Sequence, residues 1–473
     1  TALWPGNPPN LRMAAVVATD WAASPDAKSL PLSRKERRLR KEQAKAEALK
    51  PLEQQLHSQD PAEQLRAVEA LREGIATSEH SLETLLSCDI LPWVMQLSQD
   101  LAHPELQMEA LAVLLCFTEG TAEQTARVVE EGALKRLTPL LDASRPRVRE
   151  SVLAVMTNVA NASQELRDQA VNSGALDFVM GMFQASDSQV PVVARQAARL
   201  LRASCQWPQG LGEPTLQRVL RTLAVLITAA DEETLVQACA ALAHLQYDDP
   251  QHLAVLLVHS AVERLVLLLS FTSREVRVQA ARSLQRVACS SKTGMQALMV
   301  CEPLPALKEL LECEDVVLQR EGSTLLANIV AFGGPHVKEV LDSGCASLLV
   351  RHLSGSDEDA RCSAARGVAA LARRGALSGL PALSQAATVS AFADVLRLGM
   401  ERASLGTVRA CLDFFMEATK TAKHLPGQGE QVVDSCSTML EELGRTCPDA
   451  QVAKKAQELL DFWQQDQVRA PSK

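Results

Sequence analysis

Aromatic side chains are scarce in this chain. Only 3% of its 473 residues are Phe, Trp or Tyr, and Tyr247 is the sole tyrosine. The strands of β-sandwiches and barrels draw on aromatic and β-branched residues, so the shortage argues against those folds. It also removes the stacking platforms that hold single-stranded nucleic acids. A basic surplus is missing too. The formal net charge is −9, whereas nucleic-acid binders carry a basic face, so no nucleic-acid partner is expected. The twelve cysteines, from Cys88 to Cys447, never form a C-x-x-C spacing, and no paired histidine stands near them at zinc spacing. They read as small buried apolar side chains of a reducing compartment. The chain contains no G-x-x-x-x-G-K-[ST], G-x-S-x-G or H-E-x-x-H, and its nine histidines are dispersed. The glycine pair of FGGPH (332–336) lacks the residues that complete a phosphate cradle. These absences lead us to expect no enzyme, no metal site and no cofactor.

No secretory signal opens the sequence, and residues 1–32 read as a disordered leader, with Met13 in an ordinary initiator context. One apolar run, HLAVLLVHSAVERLVLLLSF (252–271), could mislead a hydropathy scan, but it holds His252, His259, Glu263 and Arg264. A charge at the centre of a bilayer costs about 2.5–3.5 kcal/mol. Two buried helices therefore suit the run better than a membrane span.

What the chain does have is Leu and Ala, within a 47% hydrophobic composition, the make-up of packed helices. It also repeats itself. LQMEALAVLLCFTEG (106–120), VRESVLAVMTNVANA (148–162) and LQREGSTLLANIVAF (318–332) share one pattern, and each is followed by a matching second half. One landmark runs through Cys116, Asn158, Ala203, His244, Arg286, Asn328 and Ala370, at intervals of 42, 45, 41, 42, 42 and 42. The longest interval coincides with a Pro/Gly-rich insertion, QWPQGLGEP (206–214). A period near 42 belongs to armadillo or HEAT repeats. Gly132, Gly174 and Gly344 fall between the apolar runs of a unit, where glycine ends one helix and permits a sharp turn into the next. Such a break favours the three-helix armadillo unit. The reading is an all-α, right-handed armadillo-repeat solenoid of about nine repeats over residues 61–445, then a C-terminal helix (446–466) and a disordered tail (467–473).

Residues 33–55 stand apart. SRKERRLRKEQAKAEALK (33–50) sets Arg34, Lys35, Arg37, Arg38, Arg40, Lys41, Lys45 and Lys50 against three glutamates. With almost no apolar periodicity it is not expected to pack into the solenoid. By charge alone it is either a solvated helix or a basic arm for an acidic partner or nuclear targeting.

The chain resembles the importin-α family, collinearly over roughly 33–445. The segment from Leu106 looks like the family's second repeat, including the turn at Thr121, Glu123, Gln124 and Thr125. VRESVLAVMTNVA looks like the third, VQACAALAHL the fifth, VQAARSLQRVA the sixth and QREGSTLLANIVA the seventh. The resemblance implies that Arg34, Lys35, Arg37, Arg38, Arg40 and Lys41 form an importin-β-binding arm. It also implies a peptide groove, built in the family from Trp and Asn four residues apart on the inner helix, hence on one face.

This chain departs from that ladder. The Trp positions read Ala112, Ala154, Arg199, Thr324 and Arg366, and the Asn positions read Cys116, Asn158, Ala203, Asn328 and Ala370. The family's acidic residue after the third-repeat Asn corresponds to Ala162. His244, Arg282 and Arg286 complete the candidate groove, whose arginines give it a basic middle that disfavours a cationic peptide. The resemblance thus implies a divergent importin-α-like adaptor in nuclear protein import, moving between cytoplasm and nucleus. Its arm would take an importin-β-like partner and its groove an extended peptide or protein cargo. The alternatives are an interaction scaffold that has lost localisation-signal binding and a membrane-associated protein held through 252–271.

Overall fold

The computed structural model describes residues 47–78, 80–88, 90–184, 191–247, 249–375, 386–422 and 430–469. The leader, the arm residues from Arg34 to Lys41 and the end of the tail lie outside the described residues. Every regular element among the described residues is helical. The chain forms two compact units, one ending at Glu131 and the other beginning at Gly132.

Each unit is built from armadillo-type repeats, and in most of them two shorter helices precede a long one, the exceptions being the 14-residue helix Glu213–Leu226 and the single helices Ala386–Glu401 and Glu430–Thr446. In the first unit the long helices are α1 (Pro61–Ala76) and α2 (Pro104–Thr118). In the second they are α3 (Pro146–Ala162), α4 (Pro191–Cys205), α5 (Glu232–His244), α6 (Arg274–Ser290), α7 (Val316–Phe332), α8 (Glu358–Arg373), α9 (Leu405–Ala422) and α10 (Ala450–Arg469). Within the second unit each long helix packs against the next in order, as α1 packs on α2 in the first.

The sequence dictates where these helices begin. A short polar residue stands just before many of them and accepts an otherwise orphaned backbone N–H: Asp231 from Thr234, Ser273 from Val276, Asp315 from Val317 and Leu318, and Asp357 from Ala360. Proline occupies the first turn of α1, α2 and α3, where its missing N–H costs nothing. The break between the two shorter helices is a left-handed residue: Gly132, Gly174 and Gly344 have φ of +85°, +88° and +80°. Ser260 and Glu302 make the same turn at φ +51°, which costs a residue with a Cβ about 1–2 kcal/mol.

The apolar run 252–271 spans such a turn. Its helices, Pro250–Val258 and Ala261–Leu268, meet at 71°, and no single described helix is long and apolar enough to cross a membrane. Leu253, Leu256, Leu265 and Leu268 are buried in the repeat core. The expectation that residues 33–50 stay out of the packing is corrected at their end. Residues 47–56 are helical, and Leu49 and Leu56 are both buried. They lie seven residues apart, hence on one face, a sparse apolar pattern that the surrounding charge conceals.

Candidate functional site

The repeat period places the sequence-predicted residues at matching points of the long helices, Ala112 and Cys116 in the first unit and the others in the second. Ala112 and Cys116 are half-buried on α2, as are Ala154 and Asn158 on α3, Arg199 on α4, His244 on α5, Arg282 on α6, and Thr324 and Asn328 on α7. Arg286 and Arg366, on α6 and α8, are exposed. Their immediate neighbours along each helix alternate into the core, as with Leu153, Val155, Val159 and Ala160 around Ala154 and Asn158. The four-residue step keeps the two ladder positions of α2, α3, α6 and α7 together at the helix surface, whereas Ala203 on α4 and Ala370 on α8 are buried in the core.

Several ladder cations are neutralised one repeat downstream. Arg199 is paired with Glu233 in the first turn of α5, and Arg195 lies 3.4 Å from Asp231. Arg282 donates from Nε (3.0 Å) and Nη2 (2.9 Å) to Glu321 Oε1 on α7. Gln285 Nε2 donates to the second carboxylate oxygen of Glu321 at 3.0 Å. Arg320 Nη1 lies 3.2 Å from Asp359 on α8, and Arg373 Nη1 lies 2.9 Å from Asp413 on α9. Asp413 also holds Lys455 of α10. In the first unit Arg72 of α1 donates to Glu109 of α2 at 2.6 Å, and this bond raises its pKa. Exposed pairs of this kind contribute about 0.2–1 kcal/mol each. Glu321 and Asp413 are only 7% exposed, and there the partners compensate a desolvated carboxylate.

A second set of arginines has no carboxylate partner among the described residues. Arg202 Nη1 donates to Gln237 Oε1 at 3.0 Å, Arg286 Nε to the Ala243 carbonyl at 3.0 Å, and Arg366 Nη2 to Ser363 Oγ at 3.1 Å. Arg374 Nη2 donates to the Ala331 carbonyl at 3.1 Å, near the end of α7. Between Arg202 and Arg286 lies His244, whose pKa is lowered first by burial and then by those two guanidiniums. Burial pushes the Cys289 thiol up, while Arg286 and Arg366 pull it down. Thr324 Oγ1 meets Ser363 Oγ at 2.9 Å. Asn158 already has a partner within the fold, whereas the Asn328 carboxamide makes no hydrogen bond among the described residues. Burial raises the Cys116 pKa.

Inspection of the ladder alone overlooks the acids that pair with it: Glu233, Glu321, Asp359 and Asp413. They stand 34 to 40 residues beyond their arginines. A search for opposite charges one repeat apart would have found them. It would also have found Glu213, whose carboxylate oxygens both lie 2.9 Å from His252 Nε2. With Asp249 these two bring ligand atoms within 4.8 Å. Asp249 caps its own helix by accepting from the Gln251 N–H at 2.8 Å, and Glu213 is engaged by His252 Nε2.

No family model matches the chain. It is similar to importin subunit alpha-1b of Oryza sativa subsp. japonica, at 29% identity over 57% of this chain and 50% of that protein. It is likewise similar to importin subunit alpha-3 of Arabidopsis thaliana, at 26% identity over 54% of this chain and 48% of that protein. The chain thus spans about half the length of these curated relatives. Among solved structures, an engineered protein from a structural-genomics programme superposes with a TM-score of 0.72 at 23% identity, covering 88% of this chain and 98% of that one. That likeness extends to the fold.

Proposed function

We propose that this protein is an importin-α-like adaptor of nuclear protein import. Its ladder face takes an extended peptide segment of a cargo protein, and its basic arm, Arg34 to Lys41, takes an importin-β-type partner. The observation that carries the reading is that Asn158 and Asn328 stand half-buried at equivalent points of long helices four repeats apart in the second unit. Carboxamides so placed pair with a peptide main chain whatever its side chains. The similarity to importin-α subunits supports the same reading. The protein would work in both cytoplasm and nucleus.

The arm is tested by capture on immobilised importin-β. The intact chain should bind, and binding should weaken steeply with salt because it is largely charge-driven. Replacing Arg37, Arg38, Arg40 and Lys41 by alanine should abolish it, and undiminished capture of that variant would refute the arm's role. A second reading, an interaction scaffold that has left localisation-signal binding, draws on one specific observation. The positions that hold tryptophan in the family hold Ala112, Ala154, Arg199, Thr324 and Arg366 here, and Arg199 is tied to its own neighbour.

A further inference from the structure

We infer that the ladder face between α4 and α8 is built for an acidic extended peptide, with Arg202, Arg286, Arg366 and Arg374 as its carboxylate-binding groups and Asn328 as its main-chain contact. This names the partner class of the groove proposed above and rests on that reading.

The argument begins with the way charge is sorted on one face. Arg199, Arg282, Arg320 and Arg373 each reach a carboxylate of the following repeat. Those acids are thereby occupied: Glu321 by Arg282 and Gln285, and Asp413 by Arg373 and Lys455. The four arginines named in the proposal are different. All are exposed and anchored only by neutral acceptors, a side-chain oxygen for Arg202 and Arg366, one carbonyl for Arg286 and the two adjacent carbonyls of Ala331 and Phe332 for Arg374. An arginine in this state is held in place yet keeps most of its donors, and its charge, for a ligand.

The cations also lie close enough to feel one another. His244 is made harder to protonate by both Arg202 and Arg286, and Cys289 senses both Arg286 and Arg366. Arg202, Arg286 and Arg366 thus act in turn on shared neighbours along the row, in a chain whose net charge is −9. A protein with that excess of acid had carboxylates to spare for these arginines and does not place them there.

The geometry of the row selects an extended chain. Packed helices stand about 8–10 Å apart, and an extended peptide advances about 3.3 Å per residue. Roughly three residues therefore span each repeat, and about six span the two repeats that separate one cation-bearing helix from the next, α4, α6 and α8. Arg366 and Arg286 offer forked donors that match a carboxylate in bidentate fashion. Asn328, between them on α7, has its carboxamide uncommitted. A nucleic acid meets no aromatic side chain among these groups on which to stack its bases.

The test is fluorescence anisotropy with the full chain, carrying alanines at Arg34, Lys35, Arg37, Arg38, Arg40 and Lys41 so that the arm does not compete. The probes are a labelled peptide alternating Glu with Ser and its Lys–Ser counterpart. The Glu peptide should bind, with affinity that falls as salt rises, and the Lys peptide should not. The double variant R286E/R366E should lose about tenfold or more in affinity for the Glu peptide, while R286K/R366K keeps most of it. Circular dichroism confirms that both variants are folded. Glu-peptide affinity unmoved by R286E/R366E would overturn the inference. So would tighter binding of the Lys peptide. If that Lys-peptide binding also disappeared on replacing Asn158 and Asn328 by alanine, the extended-peptide adaptor would stand and only the acidic specificity would fall. If neither peptide bound while the unmodified arm still captured importin-β, the inference would fall and the arm's role would survive.

Discussion

Helices α3 and α6 occupy equivalent places in the second unit and treat the same two ladder positions in opposite ways. On α3 they are Ala154 and Asn158, small and uncharged. On α6 they are Arg282 and Arg286, of which the first binds Glu321 of α7 and the second the Ala243 carbonyl near the end of α5. The α3 ladder presents short side chains. The α6 ladder presents long charged ones and uses them to hold the adjacent repeats. One scaffold thus offers a surface that can receive a peptide main chain and, further along, a surface where recognition passes to charge.

The sharpest way to break the comparison is at Glu321. Glu321→Ala should destabilise the protein by about 1.5–3 kcal/mol, because it removes the charged acceptor shared by Arg282 and Gln285. Asn158→Ala on α3 should cost about 0.5–1.5 kcal/mol, the scale of one hydrogen bond. Chemical denaturation followed by circular dichroism checks both, and equal effects would erase the contrast. Next in size is the consequence for cationic peptides. A lysine stem stacked on tryptophan contributes roughly 0.5–2 kcal/mol, and none of the ladder positions here is Trp. A basic localisation peptide should therefore bind at least about a hundredfold more weakly than to a tryptophan-bearing importin-α. Titration against the chain with its arm residues replaced measures this, and sub-micromolar binding would contradict it.

A smaller effect concerns His352, buried beneath α7. Its Nε2 lies 3.0 Å from the Leu311 carbonyl and its Nδ1 3.0 Å from Ser323 Oγ. Burial lowers its pKa, Arg351 adds to that, and the bond to Leu311 opposes it. The unfolded chain therefore binds a proton here more readily than the native one. Stability should be fully present above the ordinary histidine value of about 6.5 and should decline as pH falls below it, until the lowered native pKa is passed. Thermal melts at stepped pH should show a slope that His352→Gln flattens. The smallest change is expected from Glu233→Gln. It breaks the half-exposed pair with Arg199, so it should cost less than about 1 kcal/mol, and added salt should remove the difference.

Most of the fold is legible in the sequence because its determinants are local. The left-handed turns at Gly132, Gly174 and Gly344 and the caps at Ser273 and Asp315 are set by nearby residues, and repetition multiplies the evidence. Ser260 and Glu302 show the limit, since they make the glycine turn without glycine. The helices that carry the ladder positions are equally legible, because the period fixes them, although Ala203 and Ala370 turn out buried rather than exposed. The partners of the ladder arginines are not. Whether Arg282 reaches Glu321 or points at solvent depends on the offset between neighbouring helices, which no single repeat encodes. The buried pair Leu49 and Leu56 was obscured for a different reason: two leucines give too short a pattern amid so many charges.

The Asp413 carboxylate has a consequence for how the end of the stack comes apart. Repeat proteins usually lose structure one unit at a time, since each unit touches only its neighbours. Asp413 accepts from Arg373 on one side and Lys455 on the other, so α8, α9 and α10 share one buried charge centre. Pulling α10 away leaves a carboxylate with half its compensation, which weakens the hold of α9 on α8 at the same moment. The three helices should therefore open as one cooperative block, with amide hydrogens in all three exchanging at a common rate rather than in a graded series from the C-terminus inward.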